Sequence, residues 1–251
     1  MRRFLGDAAA AIGGRLVGAD RPYASVSTDS RTLEAGALFV ALRGPRFDAA
    51  DFVAAAAAAG AAGAIVERVV AHPLPQIVVA DALWALQSLA KSWRDSFDQP
   101  IVAVAGSNGK TTTKEMIAAI LARRGPCLAT RGNLNNHIGV PLTLLRFEPE
   151  HLAAVVEIGA NHVGDVAALM TIVRPTVSLI TNAGAEHLEG FGDLDGVARG
   201  EGEAIAGLER GATAVINADD AYAAYWSDLA GGRRVIRFGL DASADFRARH
   251  P

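Results

Sequence analysis

Residues 106–113 read Gly-Ser-Asn-Gly-Lys-Thr-Thr-Thr, a spacing that could bind phosphate. They follow the apolar run 101–105 and precede a helix-like stretch, 114–121. A glycine loop between a strand and a helix presents unpaired N–H groups and the positive end of the helix dipole to an anion. We therefore predict a phosphate site in which Lys110 reaches the terminal phosphates and the Thr111 hydroxyl binds Mg²⁺.

An alternative is that this Gly-Lys-Thr loop only caps a helix. Of the 24 lysine and arginine residues three are lysines, and two of these, Lys110 and Lys114, lie in or beside the loop. A compact ammonium binds phosphates as a point charge, so this composition favours phosphate binding. The loop is shorter than the common Walker A pattern, because Val104 stands where that pattern has its first glycine.

Glu157 and His187 are the next candidates for chemistry. Glu157 ends the apolar run 153–157, and His187 lies in a glycine-rich loop after the run 177–182. A carboxylate in that place is suited to a metal beside the phosphates, and the histidine is suited to a second metal or to proton transfer. A lone Glu or His more often has a structural or solvent-exposed role. Their shared position with Lys110 at one edge of a predicted sheet favours the functional interpretation.

The stretch 130–141 contains three asparagines, Asn133, Asn135 and Asn136, ahead of a predicted helix. Amide side chains both donate and accept hydrogen bonds, so they suit a polar substrate. An asparagine-rich turn that caps the following helix explains the same residues equally well.

Two blocks of predicted elements follow from the hydrophobic patterns. The first block contains strands and one alanine-rich helix and predicts a small α/β domain. Asp81 is a candidate N-cap for a helix that runs to residue 97 and links the blocks. We predict domains at 1–82 and 83–251. The first block has strands at 24–28, 37–42, 64–66 and 76–79 and a helix at 49–59.

From residue 101 onward strands and helices alternate, which predicts a mostly parallel, doubly wound sheet with helices on both faces. Ligands of such sheets bind beyond the carboxyl ends of the strands, where Lys110, Glu157 and His187 fall. The predicted elements are 101–105, 112–123, 126–129, 140–145, 153–159, 166–173, 177–182, 197–208, 212–217 and 235–238.

Composition excludes several classes of protein. A net charge of -3 and scattered arginines provide no basic surface for nucleic acid. The single Cys127 cannot form an internal disulfide, and the first residues do not have the pattern of a signal peptide. No uncharged apolar run approaches the roughly 18 residues that a membrane span needs. We therefore expect a cytoplasmic protein with no membrane insertion.

Six short motifs are distributed over nearly the whole chain, at residues 28–31, 38–48, 106–116, 132–136, 157–162 and 185–192. Through these motifs the chain resembles the Mur ligase family of cell-wall synthesis. The resemblance implies an ATP- and Mg²⁺-dependent amide ligase that joins D-alanyl-D-alanine to UDP-N-acetylmuramoyl-tripeptide through an acyl phosphate. It also implies a UDP-binding N-terminal domain followed by a P-loop ATPase domain.

Carried over by position, the resemblance assigns roles to individual residues, with Lys110, Glu157 and His187 as the catalytic set. One Mg²⁺ would be held by Thr111 and Glu157 and a second by His187. The expected ATP-phosphate residues are Gly106, Ser107, Asn108, Gly109, Lys110, Thr111 and Thr112. The expected UDP-substrate residues are Ser30, Arg31, Gly44, Arg46, Asn133, Asn135 and Asn136.

Three departures from the family pattern matter, and one is that the segment 48–51 lacks the histidine that members commonly have near position 50. Glu201 stands where members often have a carbamylated lysine, so our hypothesis is that Glu201 supplies that metal-binding carboxylate directly. The sequence stops at Pro251, so we expect the end of the central domain and the C-terminal domain to be absent and this chain to be inactive alone. Alternatives are another Mur-type ligase, MurE-like or folylpolyglutamate synthetase-like, and a non-catalytic nucleotide-binding module.

Overall fold

The structure, a computed structural model, describes residues 3–44 and 48–248. They divide into two compact units. The first runs to Ser96 and includes Leu144–Arg146, and the second comprises Phe97–Thr143 and the residues from Phe147 onward. The first unit therefore contains the whole helix that begins after Asp81.

The strands of the first unit are β1 (Arg3–Phe4), β2 (Arg15–Val17), β3 (Pro22–Tyr23), β4 (Ser25–Ser27), β5 (Ala37–Val40), β6 (Gly63–Val66) and β7 (Gln76–Val78). Five of them form a sheet of order β2-β7-β6-β5-β4. β4 to β7 are parallel, β2 pairs antiparallel with β7, and β1 and β3 form a separate ribbon. The helices are α1 (Leu5–Ala11), α2 (Val53–Ala58) and α3 (Ala82–Arg94), with a 3-10 turn at Ala49–Phe52.

The predicted strands of this unit are confirmed, and the hydrophobic runs explain why. β5 and β6 are buried along their whole length, as expected of apolar runs in the middle of a parallel sheet. The predicted helix 49–59 is divided into the 3-10 turn and α2, and the Asp48 carboxylate caps the 3-10 turn by accepting the Ala50 N–H. Asp81 is confirmed as the N-cap of α3, since its side chain accepts the Trp84 N–H at 2.8 Å.

The strands of the second unit are β8 (Ile101–Ala105), β9 (Cys127–Ala129), β10 (Ala153–Glu157), β11 (Val177–Ile180), β12 (Thr213–Asn217), β13 (Arg234–Gly239) and β14 (Phe246–Arg247). They form a seven-stranded, fully parallel sheet of order β14-β13-β12-β11-β8-β10-β9. Its helices are α4 (Lys110–Ala122), α5 (Gly139–Leu144), α6 (Asp165–Val173), α7 (Leu188–Phe191), α8 (Leu194–Ala206) and α9 (Ala223–Leu229).

Both faces of this sheet are covered, as the doubly wound class requires. Val104, Val155 and Leu179 form a core cluster against which residues of α4 pack. Side chains alternate between faces along a strand, so Ala103 and Ala105 point to the opposite face, and both are fully buried. The α/β fold class is thereby confirmed.

Short elements were missing from the prediction. α7 and α9 span four and seven residues, which is too short for a helical hydrophobic period to show in the sequence. α9 is fixed by Trp226, whose side chain is fully buried and whose Nε1–H donates to the Ala198 carbonyl at 3.0 Å. Within the described ranges, none of the helices has the length and apolar character needed to cross a membrane.

Candidate active site

The strand order brings three loops to one edge of the second sheet. β8 lies between β10 and β11, and all three strands are parallel. Glu157 at the end of β10 pairs in register with Val104, and Ile180 at the end of β11 pairs with Ala105. The loops that follow these strands therefore emerge side by side. Glu157 ends β10, Lys110 begins the helix after the β8 loop, and His187 lies in the loop after β11.

The phosphate loop depends on two glycines with positive φ. Gly106 has φ 110°, and a Cβ atom there would lie 2.2 Å from Oγ1 of Thr181. Gly109, the N-cap of α4, has φ 79° in the left-handed region, with open space around its Cα. These are conformations that other residues rarely adopt, so the positions of both glycines follow from the shape of the loop.

The phosphate loop is hydrogen-bonded to the loop after β11. Ser107 N–H donates to the Asn182 carbonyl at 2.9 Å, and the Ser107 hydroxyl accepts the Gly184 N–H at 2.8 Å. Asn182 Oδ1 accepts the Asn108 N–H at 3.2 Å, while its Nδ2 donates to the Asn108 carbonyl at 3.0 Å. The amides of Ser107 and Asn108 are thus used to hold the loop. The first backbone hydrogen bond of α4 runs from the Thr113 N–H to the Gly109 carbonyl. The N–H groups of Lys110, Thr111 and Thr112 come before it and have no acceptor within the helix, so they suit an anion.

Lys110 folds back over this loop. Its ammonium donates to the carbonyls of Gly106 and Ser107, the latter at 3.0 Å. The third contact is an ion pair of 3.6 Å between Nζ and Oε1 of Glu186. The predicted phosphate-binding lysine is therefore in the loop, and its charge is directed at a carboxylate.

Glu157 is a buried carboxylate with one unused oxygen. Its Oε1 accepts a hydrogen bond of 2.8 Å from Asn135 Nδ2, and its N–H donates to Oγ1 of Thr130 at 3.0 Å. Oε2 is buried and has no hydrogen-bond partner among the described residues. A buried oxygen of this kind is costly unless a cation or a donor reaches it, so the site fits a metal ion.

Glu201 supports the phosphate loop from α8. Its Oε2 accepts the Gly106 N–H at 2.6 Å, and the side chain is almost fully buried. Burial raises the pKa of Glu201 to about 7, although the positive charge of Lys110 and the Gly106 hydrogen bond act in the opposite direction.

His187 lies in the left-handed region at φ 48° and is exposed. It lines an open cleft of about 540 Å³ whose other residues are Asn161, His162, Leu188, Glu189 and Gly190. In residues 3–44 and 48–248, no three His, Cys, Asp or Glu side chains are arranged to hold a metal. The structure accordingly does not gather Glu157, His187 and Glu201 into one set of ligands.

The asparagine-rich loop has divided roles. Asn136 Oδ1 accepts the N–H groups of Ile138 and Gly139 at 3.1 and 2.9 Å, which is the capping alternative raised from the sequence. Asn135 instead orients Glu157, and Asn133 is exposed.

The expected UDP-substrate residues of the first unit follow β4 and β5. Arg31 is largely exposed, and its guanidinium forms two hydrogen bonds with Asp29, at 2.7 and 2.9 Å. These hydrogen bonds lower the pKa of Asp29 to about 2. Ser30 lies next to this pair, and Gly44 follows β5. Arg46 lies outside the described residues.

Several residues of the site were missed from sequence, among them Glu186 and Thr130. Lys114 is fully buried, and its ammonium donates to the Thr130 carbonyl at 2.8 Å and pairs with Glu115 at 2.8 Å. It holds the strand end beside Glu157, so Lys114 does not add to the argument for phosphate binding drawn from the lysine composition. The signal for Glu186 was its place next to His187 in a loop already singled out.

Two family patterns match the chain. The pattern described as "Mur ligase middle domain" matches residues 104–250, and "Mur ligase family, catalytic domain" matches residues 22–94. The chain belongs to the Mur ligase family. The phosphate loop, Glu157 and His187 all lie within the middle-domain match.

Among Mur ligases, one similar protein is the UDP-N-acetylmuramoyl-tripeptide--D-alanyl-D-alanine ligase of Escherichia coli strain K12. It is 47% identical over 238 residues, which are 94% of this chain and 53% of that protein. A crystal structure of MurF from Acinetobacter baumannii superposes with a TM-score of 0.90 at 39% identity, covering 95% of this chain and 54% of that one.

MurF of Thermotoga maritima, solved in complex with ADP, superposes with a TM-score of 0.77 at 32% identity and covers 87% of this chain and 51% of that one. The chain therefore spans about half the length of the Mur ligases that it matches.

Proposed function

We propose that this chain provides the UDP-substrate and ATP-binding parts of a ligase that joins D-alanyl-D-alanine to UDP-N-acetylmuramoyl-tripeptide. The observation that carries the proposal is the loop 106–110 at the carboxyl edge of the parallel sheet, with Lys110 above it. The names of the relatives support the choice of substrates. A cytoplasmic location stays a prediction from the sequence.

ATP phosphates would occupy the start of α4. The N–H groups of Lys110, Thr111 and Thr112 and the helix dipole favour an anion there, and the Lys110 ammonium adds a full charge. The Thermotoga maritima relative was solved in complex with ADP, which supports an adenine nucleotide as the ligand. Gly106 and Ser107 contribute by shaping the loop, since their own N–H groups are bonded to Glu201 and Asn182.

Mg²⁺ is the second expected ligand, and the donor set fits it. Carboxylate and hydroxyl oxygens are the ligand types that Mg²⁺ prefers, and Glu157 Oε2 is buried with no partner in the described part of the chain. Thr111 and Glu157 would hold one ion, and His187 with Glu201 would contribute to a second. When bound, Mg²⁺ would supply positive charge to the phosphate oxygens.

The reaction that the family resemblance implies brings two anions together. The tripeptide carboxylate attacks the γ-phosphate and ADP leaves. The amine of D-alanyl-D-alanine then attacks the carbonyl carbon of the acyl phosphate, loses a proton and displaces inorganic phosphate, which leaves the amide. Lys110 and the N–H groups of α4 would offset the charge of the triphosphate as the carboxylate approaches. Asn135 and Thr130 would keep Glu157 in place during that approach.

Calorimetric titration of the 251-residue protein tests the proposal, with two ligands and two variants. Lys110→Met should abolish binding of MgATP and leave binding of UDP-N-acetylmuramoyl-tripeptide unchanged. Arg31→Met should do the reverse, because Arg31 lies in the other unit. If neither ligand binds at millimolar concentration, or if both variants lose both ligands equally, the assignment is wrong.

Two alternatives remain to be separated by experiment. A MurE-like or folylpolyglutamate synthetase-like ligase would incorporate a single amino acid, whereas the proposed enzyme incorporates a dipeptide. A non-catalytic module would bind nucleotide with no contribution from Glu157. The buried, unpartnered Oε2 of Glu157 favours the enzyme, because a binding module gains nothing from that cost.

A further inference from the structure

Glu186 is a carboxylate that none of the family roles above uses. It lies in the loop after β11, one residue before His187, and its Oε1 is 3.6 Å from Lys110 Nζ. The side chains of Lys110 and Glu186 are only 14% and 23% exposed. Solvent screens such a pair less than it screens a surface ion pair, so the contact carries more energy than exposed pairs usually do.

The pair sits where an anion is expected. Lys110 also donates to the carbonyls of Gly106 and Ser107, so Glu186 is the full negative charge that completes its contacts. The helix start beside it favours an anion of any kind. Glu186 therefore satisfies Lys110 in the same way that a phosphate oxygen would.

Negative charge is in excess around this lysine. The charges of both Glu186 and Lys110 act on buried Glu201, so the three groups lie within electrostatic reach of one another. One cation faces two carboxyl groups, and an incoming phosphate chain adds further negative charge. Glu186 is the member with the freedom to leave, because Glu201 is buried and bonded to Gly106.

We propose that Glu186 is a positioning residue that holds Lys110 when the phosphate loop is empty and is displaced from Lys110 when a polyphosphate binds. This inference rests on the proposed function, since it deepens the role of the same loop. Glu186 N–H donates to the Gly184 carbonyl at 2.8 Å in a tight turn, and His187 follows at φ 48°. As a second step of this proposal, the displacement of the Glu186 carboxylate is passed through this turn to the backbone of His187, so that phosphate binding alters the His187 cleft.

The test measures binding of sodium tripolyphosphate and of ADP to the whole chain. A chelator is present so that no divalent ion contributes. Glu186→Gln keeps the shape of the side chain and removes the competing charge. We expect it to bind tripolyphosphate roughly three- to tenfold more tightly than the wild type, a range typical of a partly buried ion pair. Glu150→Gln makes the same change of charge before β10, at the opposite edge of the sheet, and should leave the affinity unchanged.

Unchanged or weaker binding by Glu186→Gln, while the wild type binds, would overturn the role of Glu186 and leave the proposed function standing. Failure of the wild type to bind either probe would instead remove the phosphate site itself, and both proposals with it. A second readout is the NMR signal of the His187 ring, assigned by its loss in His187→Gln. Tripolyphosphate should shift this signal in the wild type, and Glu186→Gln should show a shifted signal without ligand. A His187 signal that is unaffected in both cases would overturn the link between the two loops.

Discussion

Glu201 and Gly106 are joined by a hydrogen bond of 2.6 Å from the Gly106 N–H to Oε2 of Glu201. A buried carboxyl group on α8 thus supports the first residue of the phosphate loop, 95 positions earlier in the chain. Because the pKa of this group is raised to about 7, its protonation changes near neutral pH. The contact therefore ties the stability of the loop to pH.

The free energy of unfolding should fall as the pH rises from 4.5 to about 7. The folded pKa of Glu201, about 7, exceeds the ordinary value of 4.5, so between these values the folded state binds more protons than the unfolded state. The free energy of unfolding then decreases with pH, by about 3 kcal/mol in total, and levels off above pH 7. Urea denaturation at several pH values in a chelator measures this slope. Glu201→Gln should lose it, while Glu150→Gln should keep it, and parallel profiles for all three proteins would contradict the prediction.

Gly106 and Gly109 should respond differently to the same substitution. Gly106→Ala combines a positive φ with a clash against Thr181, so it should cost at least about 3 kcal/mol and abolish binding of tripolyphosphate. Gly109→Ala meets no neighbour and should cost only about 1 to 2 kcal/mol from its backbone conformation. Chemical denaturation of both variants checks the difference. Equal losses would show that the close approach of Gly106 to Thr181 has no energetic effect.

Removal of the Thr130 hydroxyl should show how much stability depends on the hydrogen bond from the Glu157 N–H to Thr130 Oγ1. Thr130→Val preserves the shape of a buried side chain and leaves the Glu157 N–H without a partner, at a cost of about 1 to 3 kcal/mol. Thr143→Val is the matched control, because its hydroxyl only donates to the Gly139 carbonyl and its loss leaves no N–H unpaired. It should cost less than about 1 kcal/mol. A Thr130 variant no less stable than the Thr143 variant would rule out this explanation.

The cap of α3 gives a test within the first unit. Asp81→Ala removes the acceptor of the Trp84 N–H and should lower the free energy of unfolding by about 1 kcal/mol. Asp81→Asn keeps a side-chain acceptor and should retain most of that stability. Thermal denaturation followed by circular dichroism distinguishes the two variants, and an equal loss in both would point to charge instead of capping.

Local patterns in the sequence were sufficient for most of the fold. Apolar runs such as 101–105 and 153–157 can only be buried strands here, and Asp81 marks a helix start by its type alone. The short helices α7 and α9 were not predictable, because their positions depend on tertiary contacts such as the burial of Trp226. The same limit applies to β14, a two-residue strand.

The site was only partly predictable for a related reason. Lys110 comes shortly after β8 and Glu157 ends β10, so their shared edge could be deduced from sheet topology. Which partners they have depends on contacts between distant segments. Lys114 lies close to Lys110 in sequence, but helical geometry turns it inward to the Thr130 carbonyl. Proximity along the chain and proximity in space differ most on a helix, where adjacent residues point about 100° apart.

The hydrogen bonds between the 106–108 loop and residues 182–184 have a consequence for protein engineering. The octapeptide 106–113 is not a self-contained module, because its conformation is completed by Asn182 and Gly184 in the loop after the neighbouring strand β11. Transplanting it onto another strand–helix junction would move the octapeptide without the hydrogen bonds from Asn182 and Gly184 that hold it. A functional graft must bring both chain segments and keep their parallel register.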